Sequence, residues 1–339
     1  MSVPEPRPIR EYQGVDRRTF IEEIRPSGQP AVLRGLAADW PAVQAAKESP
    51  ERISDYLLSF RPSHDVSVIL GAPEIGGRFF YAPDFRSLNF TRGSLALEAF
   101  MERLIRDQKD PKPFAMAVQS EPIPELLAGF VQANRIDLLD PGVVPRIWIG
   151  NRIQVAPHYD LKENIGIVVA GQRRFTLFPP DQLANLYIGP LEVTPAGTPV
   201  SLVDIHEPDL DRFPLYAEAA SAAQSAVLEE GDAIYIPFHW WHGVDSLARV
   251  NAFVNYWWND APLWLGNPYD ALIFALYAFR GLPAEQRDVW RTMFDHLVFC
   301  AQGDPLSYLP ESARGVLGEP GPEQIGRMRA TLRQIIGTL

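Results

Sequence analysis

A series of short apolar segments between Arg146 and Trp258 constrains the fold more than any other feature of this sequence. The segments are rich in Val, Ile, Phe, Tyr and Trp. Gly, Pro, Asn or Asp interrupt them at about the 8–12-residue spacing that is typical of β-sandwiches and barrels. The strand candidates are IWIG, IGIVVA, RRFTLFPP, SAVLEEGDAIYIP and NAFVNYWW. We therefore predict a mainly β fold whose core covers about residues 145–262.

The two flanks of this core have different patterns. The N-terminal third mixes α and β signals, and its loosely alternating stretch from Val66 to Phe85 predicts a hairpin. The predicted helices before the core are 17–24, 51–60 and 94–108, with a buried strand at 31–33. Beyond Pro262 the predicted helices are 268–280, 284–299 and 322–337. We predict a catalytic domain over residues 1–262 and a C-terminal helical region over residues 263–339.

Composition limits the classes of partner. The net charge of −11 makes the average surface repel phosphate backbones, which disfavours nucleic acid and favours a small molecule or a peptide or protein as substrate. The single cysteine, Cys300, is predicted to be a small buried apolar residue, and it excludes an intrachain disulfide. No apolar segment reaches the length of about eighteen residues that a membrane helix needs, so we expect a cytoplasmic protein without a membrane partner.

The strongest chemical signal is the sequence His158-Tyr159-Asp160. Residues two apart on a strand project from the same face, so His158 and Asp160 could hold one ion while Tyr159 points away. An HxD triplet alone is weak, because a surface histidine beside a turn aspartate gives the same letters. A second histidine in IYIPFHWWHGV strengthens the signal, since it supplies a further imidazole on a neighbouring strand.

Two histidines and one carboxylate on one side of a metal form the facial triad of non-haem iron(II) oxygenases, which leaves positions open for a co-substrate and dioxygen. We assign the third ligand to His242, with His239 as the alternative. The remaining histidines are predicted to be structural or surface residues. They are His64, His206 and His296.

Several motifs in order resemble the cupin-like JmjC family of iron(II)- and 2-oxoglutarate-dependent oxygenases, most closely its asparaginyl hydroxylases. They are PHYDLKENIGIVVAGQRRFTLFPPDQ, VDIHEPDLDRFP, GDAIYIPFHWWHGVDS and FVNYWW, with a weaker similarity in QPAVLRGLAADWP. The resemblance implies a double-stranded β-helix (cupin, or jelly-roll) core with N-terminal α/β elements and C-terminal helices. It also implies iron(II) as cofactor, with 2-oxoglutarate and O2 as co-substrates of a hydroxylase or demethylase.

The resemblance assigns the co-substrate residues. The family's lysine that anchors the distal carboxylate of 2-oxoglutarate corresponds to Arg173, which can form a bidentate pair with a carboxylate. Adjacent strand residues face opposite sides, so only one of Arg173 and Arg174 can point inward, and Arg173 is favoured. Asn164 and Asn255 match positions near the co-substrate carboxylate, and Trp257 matches an aromatic wall of the pocket.

Some positions depart from the family pattern. A family threonine before the first ligand is Val155 here, and the tyrosine that assists the lysine has no clear equivalent around Ala115 to Val118. The arginine and glutamine by which the asparaginyl hydroxylases hold a peptide align with Pro199 and Val200, so the substrate cannot be transferred. Two alternatives stay open at this point. One is a cupin-type metalloenzyme with zinc or another ion, and the other is a non-catalytic binding protein.

The C-terminal helices carry more apolar residues than one amphipathic stripe needs, so several of their sides must be covered. Packing against the barrel of the same chain is one explanation. A homodimer through these helices is the other, which the family resemblance also implies. The apolar residues are Leu272, Ile273, Phe274, Leu276, Tyr277, Phe279, Trp290, Met293, Phe294, Leu297, Val298 and Phe299.

Overall fold

The computed structural model describes residues 3–318 and 321–337. The chain folds into two compact units, Met1–Asn259 and Asp260–Leu339. The first unit combines two β-sheets with short helices, and the second is helical.

The first unit contains all the strands found in the described residues. They are β1 Arg7–Pro8, β2 Arg10–Gln13, β3 Ala31–Arg34, β4 Val66–Gly71, β5 Arg78–Phe79, β6 Thr91–Leu95, β7 Ala115–Pro122, β8 Pro145–Gly150, β9 Gln154–His158, β10 Glu163–Ala170, β11 Arg173–Phe178, β12 Gln224–Leu228, β13 Ala233–Ile236, β14 Trp241–Ser246 and β15 Asn251–Trp258. Its α-helices are α1 Arg17–Thr19, α2 Pro41–Glu48, α3 Pro50–Ser59, α4 Leu97–Asp107, α5 Ile123–Leu126, α6 Phe130–Ala133 and α7 Tyr216–Ala222. Short 3-10 helices lie at Arg25–Ser27, Pro73–Ile75 and Pro180–Ala184.

The strands form two sheets. One has six strands in the order β1-β12-β11-β14-β9-β5, and the other has nine in the order β2-β3-β13-β10-β15-β8-β7-β4-β6. Side chains from the inner faces of both sheets meet in one apolar cluster, which contains Phe175 and Val244 from the smaller sheet and Val168 and Phe253 from the larger one. The two facing sheets confirm the predicted cupin, or jelly-roll, core with helical additions.

The central strand β10 is buried on both faces, because its side chains alternate between two apolar clusters. Ile165 and Ile167 face outward into a second apolar cluster, which also contains Leu57 of α3 and Phe100 of α4. Their neighbours Asn164 and Gly166 lie at inward-facing positions between the two sheets. A strand covered on both sides loses the simple polar–apolar alternation of a half-exposed strand. IGIVVA is therefore an almost continuous apolar run.

Several sequence predictions about the first unit are wrong in detail. The stretch from Val66 to Phe85 is not a hairpin, because β4 pairs with β6 and β7 in the larger sheet, whereas β5 pairs with β9 in the smaller one. SAVLEEGDAIYIP, where the sequence predicts a turn at Glu230-Gly231-Asp232, forms two strands that lie in different sheets. They are joined through Gly231 at φ 93°, a left-handed conformation that glycine adopts without strain. The helix predicted at 17–24 is α-helical only over Arg17–Thr19 and continues as a π-helical turn over Phe20–Ile24.

The second unit is helical, as the sequence predicts. Its α-helices are α8 Pro268–Phe279, α9 Ala284–Leu297 and α10 Pro322–Ile336, with 3-10 turns at Glu311–Ala313 and Gly315–Leu317. None of the described residues in α8, α9 and α10 is buried, although α8 is strongly apolar. Cys300 is exposed rather than buried, which corrects the prediction, because α9 ends before it. No helix in 3–318 or 321–337 combines the length and apolar character required to cross a bilayer.

Candidate metal centre

The candidate metal ligands come from two neighbouring strands of the smaller sheet. His158 is the last residue of β9, and His242 lies opposite it on the antiparallel strand β14. Their ring centroids are 4.2 Å apart, and the Nε2 of His242 lies 3.6 Å from a carboxylate oxygen of Asp160. One ligand atom from each of the three residues lies within 4.8 Å of the other two. The structure thus brings together the three side chains that the sequence singled out, and strand pairing places the two histidines.

Asp160 reaches this cluster in a different way from the one the sequence predicted. The strand β9 ends at His158, and Asp160 lies two residues beyond it in irregular structure. The same-face rule for strands therefore does not place it. Instead, the indole Nε1 of Trp257 donates to its Oδ2 at 2.9 Å, and the amide of Asn164 donates to the same oxygen at 3.2 Å. Hydrogen bonds from the larger sheet hold the carboxylate beside the two rings.

Both imidazoles have their tautomer set by the backbone. The Nδ1 of His158 lies 3.0 Å from the carbonyl oxygen of Ala156, and the Nδ1 of His242 lies 3.1 Å from that of Trp240. A carbonyl oxygen can only accept, so each Nδ1 carries the hydrogen and each Nε2 keeps a free lone pair. Burial and the charge of His242 lower the pKa of His158, and the opposing effect of the Asp160 carboxylate is smaller. A neutral ring of this kind is the form that binds a metal.

Arg173 lies in the same cavity and has an unusual environment. It is 8% exposed, its Nε has no hydrogen-bond partner within the part of the chain that the structure describes, and its guanidinium lies 4.5 Å from the ring centroid of Phe253. Burial lowers its pKa to about 9, so the side chain still carries its charge at neutral pH. Gly166 makes room for this arrangement, because a Cβ there would come within 2.1 Å of the Phe253 ring.

Arg174, the alternative anchor, points to the other side of β11. Its guanidinium is exposed and lies 3.9 Å from a carboxylate oxygen of Asp245. The strand alternation therefore places Arg173 in the cavity and Arg174 outside it, which is the arrangement that the sequence favoured.

The two predicted asparagines, Asn164 and Asn255, form a hydrogen-bonded chain that leads to the candidate metal ligand Asp160. The amide of Asn255 donates to the side-chain oxygen of Asn164 at 3.2 Å, and the indole of Trp148 donates to the oxygen of Asn255 at 2.8 Å. Because Asn164 in turn donates to Asp160, the chain runs from Trp148 to the carboxylate. Buried amides are satisfied here by each other, and this order fixes the position of Asp160. Sequence reasoning missed Trp148, because both faces of IWIG carry apolar residues and the sequence does not show which face points into the cavity.

A cavity of about 530 Å³ connects these groups. Its size falls in the range of about 300–1,000 Å³ that is usual for small-molecule sites. His158, Asp160, His242 and Arg173 lie on its wall, together with the aromatic rings of Phe79, Trp148, Phe175, Phe253 and Trp257. The sequence did not identify one further group of wall residues. It comprises Ser67, Arg92, Gln119 and Ser120.

The remaining histidines lie outside the three-residue cluster. His239 stacks on Tyr159 with ring centroids 4.8 Å apart, and burial lowers its pKa. His206 contacts Asp245 and His64 lies near Glu121, whereas His296 is exposed. The donor set of the cluster, two imidazole nitrogens and one carboxylate oxygen, fits iron(II).

Comparisons with known proteins place the chain in a family. Residues 17–263 match the family model described as a cupin-like domain. The tRNA wybutosine-synthesizing protein 5 of Mus musculus is 26% identical over 275 residues, which cover 75% of this chain and 79% of the relative. The HSPB1-associated protein 1 homolog of Danio rerio is 29% identical over 240 residues, covering 68% and 51%. The lysine-specific demethylase JMJ31 of Arabidopsis thaliana is 34% identical over 103 residues, covering 30% and 18%.

The family match covers most of the first unit, including strands β3 to β15 and all three candidate metal ligands. It confirms the resemblance on which the sequence prediction was based, whereas the likeness to asparaginyl hydroxylases stays a prediction. The chain belongs to the cupin-like family of JmjC-type proteins.

Proposed function

We propose that this protein is an iron(II)- and 2-oxoglutarate-dependent oxygenase. The observation that carries the proposal is the pairing, in one cavity, of a two-histidine, one-carboxylate cluster with a buried arginine that has an unpartnered Nε. A hydrolytic zinc site has no use for a buried carboxylate anchor, and a purely structural arginine would be expected to find a partner. The presence of a demethylase among the relatives supports the same class.

We assign each residue of the site one of three roles: binding the metal, binding 2-oxoglutarate or positioning a ligand. His158, Asp160 and His242 would hold the iron, which when bound supplies the activation of dioxygen coupled to decarboxylation of 2-oxoglutarate. Arg173 would receive the distal carboxylate, and the ring of Phe253 beneath it fixes the direction of the guanidinium. Asn164 and Trp257 hold Asp160 through donated hydrogen bonds, and Asn255 keeps Asn164 in place. The aromatic walls exclude water around the reacting groups.

The prime substrate is proposed only as a class, a small molecule or a group on a peptide or protein. One relative is named for tRNA wybutosine synthesis and another for lysine-specific demethylation, and we propose either hydroxylation or demethylation as the reaction. We also propose that the C-terminal helices form a homodimer, because α8 and α9 present several large apolar side chains without burying them.

Succinate formation tests the proposed activity. The full chain would be loaded anaerobically with iron(II), mixed with 2-oxoglutarate and oxygen, and assayed for succinate across a panel of candidate substrates. We expect succinate with iron and none with zinc, because zinc does not support this redox chemistry. Zinc-dependent turnover of a substrate without succinate would favour the metallohydrolase alternative. If the protein binds iron but forms no succinate, and shows no zinc-dependent turnover either, the result would favour a non-catalytic binding protein.

A further inference from the structure

The charged side chain of Arg92 lines the cavity, and the proposed function gives it no role in metal or co-substrate binding. Among the described residues that line the cavity, the side chains with a full charge are Arg92, Asp160 and Arg173, besides the two histidines. Asp160 and Arg173 are accounted for by the proposed function. Arg92 lies on the edge strand β6, donates to the side-chain oxygen of Gln119 at 3.2 Å, and forms no ion pair with any described carboxylate. A cation is therefore available on the cavity wall of an acidic protein.

A strained bulge in β7 places the neighbours of Arg92. The pairing of β7 with β8 shifts between Val118 and Glu121, so Gln119 and Ser120 together lie opposite one residue of β8, and β7 has one extra residue there. Ser120 has a φ of 54°, a left-handed conformation that is uncommon for residues other than glycine. Strain of this kind persists only where surrounding contacts enforce it, and it concentrates at functional sites.

Two contacts enforce the bulge. Arg146 donates from Nη1 to the carbonyl oxygen of Ser120 at 2.5 Å and to its hydroxyl oxygen at 3.2 Å. The largely buried carboxylate of Glu121 accepts from the backbone N–H of Ser67 at 2.6 Å, which replaces a ladder hydrogen bond. The bulge is thus fixed from both sides, with Gln119 and Ser120 turned to the cavity.

These residues together form a set of hydrogen-bond donors. We define the donor rim as Ser67, Arg92, Gln119 and Ser120, all of which line the cavity. The hydroxyl oxygen of Ser120 accepts from Arg146, so its own hydrogen remains to be donated. The side-chain oxygen of Gln119 accepts from Arg92, so the amide N–H groups of Gln119 remain as donors. The carboxylate of Glu121, which follows Ser120 in the chain, accepts from the backbone N–H of Ser67 and lies 3.7 Å from Nε2 of His64.

We propose that the donor rim binds an anionic group of the prime substrate, either a phosphate or a carboxylate. Charge-assisted hydrogen bonds from a guanidinium, an amide and hydroxyls suit such a group, and the bulge presents them in a fixed arrangement. The aromatic rings of Phe79 and Trp148 on the same wall suit a flat, apolar portion next to the anion. This inference rests on the proposed function, because it assigns the group that the oxygenase would hold beside its reacting centre.

Binding of matched probes tests the rim directly. The full chain would be loaded with manganese(II) and 2-oxoglutarate. Manganese would then fill the candidate metal site and 2-oxoglutarate would contact Arg173, without turnover. Phenyl phosphate, phenylacetate and the uncharged benzyl alcohol would then be titrated by ligand-observed NMR. We expect Arg92→Met to weaken at least one of the two anionic probes about tenfold, through loss of a charge-assisted contact, and to leave benzyl alcohol unchanged. The anion that loses more identifies the source of the charge.

Two further variants make the result specific. Arg92→Lys keeps a positive charge and should retain part of the affinity, which separates recognition from a folding defect. Arg152→Met removes an exposed arginine from a different surface cavity and should bind all three probes as the wild type does. The inference is overturned if Arg92→Met binds both anions as tightly as the wild type, or if Arg152→Met weakens them equally.

The outcome is separable from that of the oxygenase proposal. A wild-type protein that forms no succinate, while its anion binding depends on Arg92, would remove the proposed activity and keep the rim as an anion site. A wild-type protein that forms succinate, while Arg92→Met binds the anions normally, would remove the rim and keep the activity.

Discussion

Polar groups usually lie on the surface of a protein and large apolar groups in its interior, and the two units of this protein depart from that rule in opposite ways. The first unit buries charged and amide groups, including Arg173 at 8% exposure and Asn255 at 1%. The second unit exposes large apolar groups, including Tyr277 at 70% and Trp290 at 40%. Buried polar groups need partners, and large exposed apolar patches mark interaction surfaces. This difference is the basis of our proposals that the first unit binds an anion and a metal and that the second unit binds an apolar surface.

The largest expected effect is the loss of the metal from the first unit. His242→Ala removes one of two imidazoles from a three-ligand cluster, so we expect complete loss of iron binding and of succinate formation. Metal content after anaerobic loading, measured by elemental analysis, gives the direct readout. His239→Ala is the matched control, since its ring stacks on Tyr159, and it should keep stoichiometric iron. The reverse result for the two variants would move the third ligand to His239.

A charge placed on the second unit should have the next largest effect. Phe274→Asp puts a carboxylate on the apolar surface of α8, where the proposed dimer would have to bury it without a partner. We expect the dimer dissociation constant to rise about a hundredfold, which is in the range of an interface hot spot. Sedimentation velocity over a concentration series measures it.

The control for the dimer is a polar position of the same unit. Glu285→Gln changes an exposed residue in the first turn of α9 and should leave the dissociation constant unchanged. If the interface is obligate, it should bury more than about 2,000 Å² in total. A wild-type chain that sediments as a monomer at micromolar concentration would contradict the proposal, and the apolar helices would then need another explanation.

Replacing Arg173 should separate stability from binding within the first unit. Arg173→Met removes a buried charge that has an unpartnered Nε, so the unliganded protein should become more stable by about 1–3 kcal/mol. The same change should weaken 2-oxoglutarate by about thirtyfold, or about 2 kcal/mol, because the carboxylate loses its charge-assisted partner. Chemical denaturation with and without 2-oxoglutarate measures both.

Arg174→Met is the matched control for the opposite changes in stability and in 2-oxoglutarate affinity. It lies on the opposite face of β11 with its guanidinium exposed, so neither stability nor affinity should change by more than about 0.5 kcal/mol. Unchanged 2-oxoglutarate affinity in Arg173→Met would show that the anchor lies elsewhere.

The comparison also shows which features a sequence can predict. Strand alternation placed Arg173 inside and Arg174 outside, because periodicity is a local property of the chain. The metal residues were recognisable as a set, but Asp160 is held by Trp257 and Asn164, which lie on strands of the other sheet. Local spacing carries no information about such tertiary hydrogen bonds.

Long-range pairing explains the wrong predictions as well. Val66–Phe85 alternates as a hairpin would, yet its two strands join different sheets, and alternation does not specify the partner strand. The bulge at Ser120 left no signal either, because its left-handed backbone is enforced by Arg146 from a neighbouring strand. Glycine, which would have marked such a position, is absent there.

The smallest expected effect concerns a buried polar group that, unlike Arg173, already has its partner. Asp245 on β14 is 7% exposed, and the Nε2 of His206 lies 3.0 Å from its carboxylate. The hydrogen bond with Asp245 and the negative charges of Asp245 and Asp204 raise the pKa of His206, while burial and the nearby Arg174 oppose the shift. A pKa that is raised in the folded state means that the protonated imidazole is stabilised by folding.

The sign of the pH dependence follows from that shift. The stabilisation is fully present below the unfolded pKa of about 6.5 and is lost as the pH rises through the folded value, which lies above it. Because the His206 side chain is 35% exposed, screening by solvent should limit the contribution to below about 1 kcal/mol. Denaturant unfolding of the wild type and of His206→Asn from about pH 5.5 to about 8.5 should show a difference that shrinks as the pH rises. A His206→Asn difference that stays constant across this range would mean that the histidine contributes through packing, with no protonated pair in the folded state.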